Sequence, residues 1–111
     1  MFKLIRDNIP ELITKEGGHL NFAAAQDDDF FKSLLKAKLI EEVNEYFASG
    51  DSLEELVDIK TVLDYLIGDR LPEFKEMFEQ KFKEHGGFEK RYIGFFADVS
   101  TNDNSGNVNN N

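Results

Sequence analysis

The chain has 111 residues, the length of one domain, and its 22 acidic and 13 basic residues give a net charge of −9. Such a charge repels nucleic acid and anionic membranes, so neither is expected as a partner. The lack of cysteine excludes disulfides, thiolate metal sites and cysteine nucleophiles. The first residues are too charged for a signal peptide, and no uncharged apolar stretch approaches the ~18–20 residues of a membrane span, so we expect a cytoplasmic protein.

The first half of the chain contains residues that favour the starts and ends of helices. Pro10 favours a first helical turn, and a short helix is predicted from there to about Lys15, before two glycines. Three aspartates at residues 27–29 precede an apolar run of helical period, and we interpret them as the N-cap of a long helix rather than as metal ligands. This helix is predicted over residues 29–49, and Gly50 ends it.

The second half of the chain repeats this pattern. Two further helices are predicted over residues 52–68 and 71–85, each bounded by proline, glycine, serine or aspartate at the positions that favour helix ends. The aromatic stretch 88–99 favours a short extended segment, and the Asn-rich residues 100–111 favour a disordered tail. The elements together predict an all-α helical bundle, with one domain over residues 1–99.

Two acidic clusters stand at helical spacing on neighbouring helices. Glu42 and Glu45 are three positions apart in the first long helix, and Glu55 and Asp58 repeat this spacing in the next. Each pair therefore projects from one side of its helix. Because the short loop at Gly50 makes the two helices antiparallel neighbours, the four carboxylates are expected to converge. Converging carboxylates are costly without a cation, and oxygen ligands suit Mg²⁺ or Mn²⁺.

The position of Glu55 argues against an ordinary solvated acidic face. Glu55 lies four positions before Ile59, near the middle of the apolar face of its helix. An alternative stays open, in which the acids form a buried ion-pair network with Lys38 or Lys60. For Glu41, a surface charge and a functional role are equally compatible with its position.

The two acidic clusters resemble the signature of the all-α nucleoside triphosphate pyrophosphohydrolases, which include MazG-like proteins and phosphoribosyl-ATP pyrophosphohydrolase. Residues 3–11, Lys-Leu-Ile-Arg-Asp-Asn-Ile-Pro-Glu, are similar to the opening of the small MazG-like branch. Residues 81–91, Lys-Phe-Lys-Glu-His-Gly-Gly-Phe-Glu-Lys-Arg, are similar to the segment that closes it. The order and spacing of these segments agree up to about residue 96. The chain departs from residues frequent in that branch at Asn8, Thr61 and His85.

The resemblance implies a helical bundle that forms homodimers or larger homo-oligomers, with Mg²⁺ (or Mn²⁺) as cofactor. It also implies cleavage of a nucleotide between its α- and β-phosphates, which yields a monophosphate and pyrophosphate. The residues that match the metal-binding positions are Glu42, Glu45, Glu55 and Asp58. The candidates for the catalytic proton acceptor are Glu41 and Glu45. The candidates for substrate binding through phosphate are Arg6, Lys38, Lys81, Lys83 and Arg91.

Two other functions stay open at this point. The first is a non-catalytic helical module of the same fold that binds a nucleotide or a protein partner. The second is a helical metal-binding or dimerisation protein that has no relation to nucleotides. Release of pyrophosphate from a nucleotide in the presence of Mg²⁺ distinguishes the enzyme from both.

Overall fold

The computed structural model describes residues 2–97 of the chain, and the regular structure of this part is helical. The four α-helices are α1 (Ile9–Lys15), α2 (Asp28–Ser49), α3 (Leu53–Ile67) and α4 (Leu71–His85). A single 3₁₀ turn, Gly68–Arg70, connects α3 to α4. No strand occurs among residues 2–97, so the predicted all-α class is confirmed for this part of the chain. None of the described helices is long and apolar enough to cross a membrane.

The helix bounds predicted from the sequence agree with the observed bounds to within one residue at each end. The predicted extended segment over residues 88–99 forms a turn at residues 88–90 and then an irregular chain as far as Ala97, without strand pairing. The predicted disordered tail, residues 100–111, lies outside the described residues.

The ends of α2 follow from local chemistry. At its start, the Asp27 side chain accepts a hydrogen bond of 2.8 Å from the backbone N–H of Phe30, which satisfies one of the free donors of the first turn. At its end, Gly50 has a φ of 91°, a conformation that glycine adopts without strain. The three residues between α2 and α3 then return the chain, so that α3 packs directly against α2.

The chain divides into two compact units, Met1–Lys75 and Glu76–Asn111. In the first unit, the apolar core is small: Leu35 of α2 and Val62 of α3 are the only apolar side chains among residues 2–97 that are buried. Glu42 of α2 is as deeply buried as these two, with 5% of its surface exposed. The helix pair therefore encloses a carboxylate within its small core.

In the second unit, every residue from 76 to 97 is exposed. The rings of Phe78 and Phe82 stack on one side of α4, with their centroids 6.3 Å apart. The prediction of one domain over residues 1–99 stays a prediction.

Replacement of the α2 cap, Asp27→Ala, is expected to lower the free energy of unfolding by about 1 kcal/mol, because the hydrogen bond to Phe30 is lost. Asp29→Ala is the matched control, since it removes a first-turn charge but no cap bond, and we expect a loss of about 0.3 kcal/mol. Urea denaturation followed by far-UV circular dichroism measures both. Equal losses would show that the helix dipole, and not the cap bond, determines the start of α2.

Candidate metal centre

Three of the four acidic residues that are predicted to converge, Glu42 of α2 with Glu55 and Asp58 of α3, lie close together, whereas Glu45 groups only with its neighbours on α2. One carboxylate oxygen each from Glu42, Glu55 and Asp58 lie within 4.8 Å of one another. Glu41, Glu42 and Glu45 form a second group with the same limit, and Glu42 belongs to both. We refer to these five residues as the carboxylate cluster. The group of Glu42, Glu55 and Asp58 places oxygen atoms from both helices close enough together for one cation to bind them.

Two oxygen atoms at the centre of the cluster have no partner. Oε1 of Glu42 and Oε1 of Glu55 are buried, and neither accepts a hydrogen bond from any residue of the described chain. Glu42 is buried and Glu55 is half-buried, so water reaches these carboxylates poorly. A buried carboxylate oxygen without a donor is costly unless a cation compensates it. The arrangement therefore fits a hard divalent cation, such as Mg²⁺ or Mn²⁺, for which carboxylate oxygens are the preferred ligands.

Basic side chains neutralise Glu41, at the outer side of the cluster on α2. Nζ of Lys3 lies 2.9 Å from Oε2 of Glu41, and Nζ of Lys38 lies 3.5 Å from its Oε1. Lys38 also lies 3.4 Å from Oε2 of Glu42, the oxygen opposite the unpartnered one. Both oxygens of Glu41 are therefore paired, whereas Glu42 has only one partnered oxygen.

The ion-pair alternative left open by the sequence is met only in part. Lys38 does pair with the cluster, but it leaves Oε1 of Glu42 and Oε1 of Glu55 without a donor. Lys60, the other predicted partner, instead pairs with Asp64 one turn further along α3, at 3.1 Å. The basic residues among residues 2–97 thus leave the centre of the cluster uncompensated.

Arg6 contacts the cluster from the N-terminal segment. Its Nη2 donates a hydrogen bond of 2.7 Å to Oδ1 of Asp58 and a longer one, of 3.3 Å, to the hydroxyl of Thr61. Residues 3 and 6 therefore bring one positive charge to α2 and one to α3. The contact from Lys3 was not predicted. Its only signal in the sequence is its place in the same segment as Arg6, two apolar residues away.

The missing compensation shifts the protonation of Glu55. Removal from water raises the pKa of Glu55 to about 7, assisted by the close approach of Glu42 and by the negative charges of Glu45, Glu42 and Asp58. In the metal-free protein, Glu55 is therefore partly protonated near neutral pH. A cation that binds beside a carboxyl group with this pKa strongly favours the ionised form of the group.

The pKa values of Glu41 and Glu45 are shifted in opposite directions. The hydrogen bond from Lys3 and the charge of Lys38 hold the pKa of Glu41 below its ordinary value, against the opposing effect of burial. The pKa of Glu45 is raised, first by partial removal from water and then by the charges of Glu42 and Glu41. Of the two predicted proton acceptors, Glu45 is therefore the more basic.

A cavity of about 260 Å³ lies beside the carboxylate cluster. Glu42 and Asp58 contribute acidic groups to its wall, and Arg6 and Lys38 contribute basic groups. The apolar part of the wall comes from the N-terminal segment, α2 and α3, through Leu4, Ile5, Phe31, Leu35, Val62 and Tyr65. This cavity therefore combines carboxylates, positive charge and apolar surface, which is the usual composition of a small-molecule site.

The other predicted phosphate contacts, Lys81, Lys83 and Arg91, belong to the second compact unit. All three residues are exposed, and Arg91 has a φ of 59°, which is uncommon for a residue other than glycine. Their role in phosphate binding stays a prediction.

Comparison of the chain with protein-family models, with curated proteins and with solved structures found no match. The geometry of the carboxylate cluster and the resemblance of the sequence segments are therefore the basis for assigning a function.

In EDTA, stability is expected to fall as the pH rises from about 4.5 to about 7. The folded-state pKa of Glu55, about 7, exceeds its ordinary value of 4.5, so the folded state holds more protons than the unfolded state in this window. The contribution is complete below the lower value and is lost as the pH passes the upper one. Glu55→Gln removes the part of this dependence that comes from Glu55.

Glu54→Gln is the matched control, because Glu54 is the exposed neighbour of Glu55 and lies outside the cluster. Urea denaturation over a pH series measures all three proteins. A difference between wild type and Glu55→Gln that does not change with pH would contradict the raised pKa.

Proposed function

We propose that the protein is a Mg²⁺-dependent nucleotide pyrophosphohydrolase with an all-α bundle of the nucleoside triphosphate pyrophosphohydrolase type. It cleaves a nucleoside triphosphate, or a related nucleotide, between the α- and β-phosphates. The observation that supports this function best is the pair of buried, unpartnered oxygens of Glu42 and Glu55, next to Asp58 and beside a cavity of about 260 Å³. An acidic surface patch has neither the burial nor the adjoining cavity.

Glu42, Glu55 and Asp58 would hold the metal ion, with Glu45 as the fourth carboxylate of the site. The site contains no histidine and the chain no cysteine, so the donor set favours Mg²⁺ or Mn²⁺ over zinc. When bound, Mg²⁺ neutralises the charge that develops on the phosphoryl oxygens and lowers the pKa of a water molecule at the site.

Glu45 is the group best suited to accept the proton from the attacking water. Its raised pKa makes it a better base than Glu41, and it belongs to the cluster without being paired to a basic side chain of the described chain. Glu41 is paired through both of its oxygens, to Lys3 and Lys38. It contributes by holding these two positive charges beside the site.

The wall of the cavity contains groups suited to both ends of a nucleotide. Lys38 and Arg6 offer positive charge for the phosphates, and Phe31 and Tyr65 offer aromatic surface for the base. The base and sugar would therefore lie against the apolar wall, with the phosphates toward Glu42.

We propose that the active form is a homodimer or a larger homo-oligomer, and the small core supports this proposal. Leu35 and Val62 are the only buried apolar side chains among residues 2–97, whereas Phe47 and Leu53 are 73% and 75% exposed. A domain of about 100 residues normally buries far more apolar surface, and exposed apolar patches mark association sites. A second copy of the chain is the partner that symmetric association would supply.

Glu55→Gln is expected to lower Mg²⁺-dependent pyrophosphate release by roughly 100-fold or more, since even substitutions outside the ligand shell of a metal site cost 10–100-fold. Glu54→Gln should retain activity, because Glu54 lies outside the cluster. The assay measures pyrophosphate release from a panel of nucleotides. Mg²⁺ should also raise the melting temperature of the wild type more than that of Glu55→Gln.

Three results would oppose this function. Binding of nucleotide without release of pyrophosphate would support a non-catalytic module, and binding of neither nucleotide nor metal would remove the site altogether. Melting of Glu55→Gln far below the wild type in EDTA would show that Glu55 serves a stabilising ion-pair network instead.

Sedimentation at micromolar concentration is expected to give a mass of at least twice the 12.7 kDa of the single chain. The physical reason is the burial of side chains such as Phe47 and Leu53 against a second copy. A monomer at this concentration would contradict the proposed association.

A further inference from the structure

We infer that Arg6 is a positioning residue of the metal centre, which holds Asp58 in the orientation in which its carboxylate binds the ion. This inference rests on the metal site of the proposed function. It gives Arg6 a role distinct from the phosphate contact that the sequence predicts, because it acts through a metal ligand and is required before any nucleotide binds.

The contact between Arg6 and α3 has two acceptors. Nη2 of Arg6 donates to Oδ1 of Asp58 at 2.7 Å and to Oγ1 of Thr61 at 3.3 Å. The Thr61 hydroxyl donates its own proton to the backbone carbonyl of Val57, at 2.9 Å, so toward Arg6 it acts only as an acceptor. Asp58 and Thr61 are three positions apart and share one side of the helix. Together they provide two hydrogen-bond acceptors for one guanidinium nitrogen.

This contact leaves Asp58 able to bind a metal ion. A carboxylate has two oxygens, and Arg6 occupies one of them. One of the two oxygens of Asp58 lies within 4.8 Å of an oxygen of Glu42 and of an oxygen of Glu55, and each carboxylate oxygen has a second lone pair that the bond from Arg6 does not use. A metal-binding carboxylate whose other oxygen accepts a hydrogen bond is a common arrangement, because the outer bond fixes the direction of the ligand.

Stability alone does not explain the contact. The Arg6 side chain is 55% exposed, and ion pairs with so much exposure add little to stability. The chain nevertheless brings Arg6 to a residue 52 positions away, at the edge of the carboxylate cluster. The relevant consequence is therefore its effect on Asp58.

The charge balance of the cluster favours an arrangement in which Arg6 keeps its contact with Asp58 when the ion binds. Lys3, Arg6 and Lys38 neutralise part of the five carboxylates and leave two negative charges when all five are ionised. One divalent cation matches this remainder. The opposing account has Arg6 as a stand-in for the metal, which the ion must displace from Asp58. The two accounts predict effects of opposite sign on metal affinity.

The test is the affinity of Arg6→Met for Mn²⁺, measured by isothermal titration calorimetry without nucleotide. A positioning role predicts that the dissociation constant rises by 10- to 100-fold, the usual effect of losing an outer-shell partner. The rise should persist in ~1 M KCl, where charges separated by more than about 3 Å are screened. An unchanged or lower dissociation constant would overturn the inference, and a lower one would show that Arg6 competes with the metal.

Other variants separate geometry from charge. Arg6→Lys keeps the charge and one bond, and it should recover part of the affinity. Thr61→Val removes one of the two acceptors of Arg6 Nη2 and should weaken Mn²⁺ binding a few-fold. Lys60→Met is the matched control, since it removes a positive charge from α3 whose partner, Asp64, is outside the cluster. It should leave the dissociation constant unchanged.

A double-mutant cycle tests whether Arg6 affects the affinity for Mn²⁺ through Asp58. If Arg6 acts through Asp58, Arg6→Met causes no further loss of affinity in an Asp58→Asn background. Additive losses would overturn the inference. Melting curves in EDTA establish that each variant is folded, and should Arg6→Met fail to fold, Arg6→Lys and Thr61→Val decide the question in its place.

The inference and the proposed function fail in different ways. A wild type that binds no Mn²⁺ would overturn both. A wild type that binds Mn²⁺ and releases pyrophosphate, while Arg6→Met binds the ion equally well, would overturn the role of Arg6 and leave the proposed function standing.

Discussion

The repulsion among carboxylates around one buried glutamate, between two packed helices, is the constraint on which the site depends. α2 and α3 pack around a core with very few apolar side chains, and Glu42 occupies a position in that core. Because Glu55 and Asp58 lie close to Glu42, the packing of the two helices brings like charges together. The protein offsets this repulsion by protonation of Glu55 near neutral pH and by basic side chains at the edge of the cluster. A divalent cation would offset it at the centre.

The N-terminal segment supplies two of the three positive charges that residues 2–97 bring to the cluster. Lys3 contacts α2 and Arg6 contacts α3, so one short stretch of chain brings positive charge to both helices. The apolar residues between them, Leu4 and Ile5, line the cavity beside the cluster. The segment is therefore part of the candidate site, and charge balance and apolar lining come from the same few residues.

The pairing pattern also divides the carboxylates by chemical role. Glu41 is paired with two lysines and is a weak base, whereas Glu45 has no basic partner among residues 2–97 and is a stronger base. Glu42 and Glu55 each retain a buried oxygen without a hydrogen-bond partner in the same part of the chain. Residues of the same type thus acquire different properties from the placement of Lys3, Lys38 and Arg6 rather than from their own identity.

The sequence by itself determined the helices and the direction of the acids on them. Caps such as Asp27 and stops such as Gly50 act over three or four residues, and the three-residue spacing of acids fixes one side of a helix, so both are local properties. Tertiary structure alone decided which oxygens stay unpartnered and which cations lie beside them. Arg6 reaches Asp58 across 52 positions of sequence, and the pKa of Glu55 depends on how much water the packed helices exclude. No local pattern specifies such distances, because they arise only when distant segments share one surface.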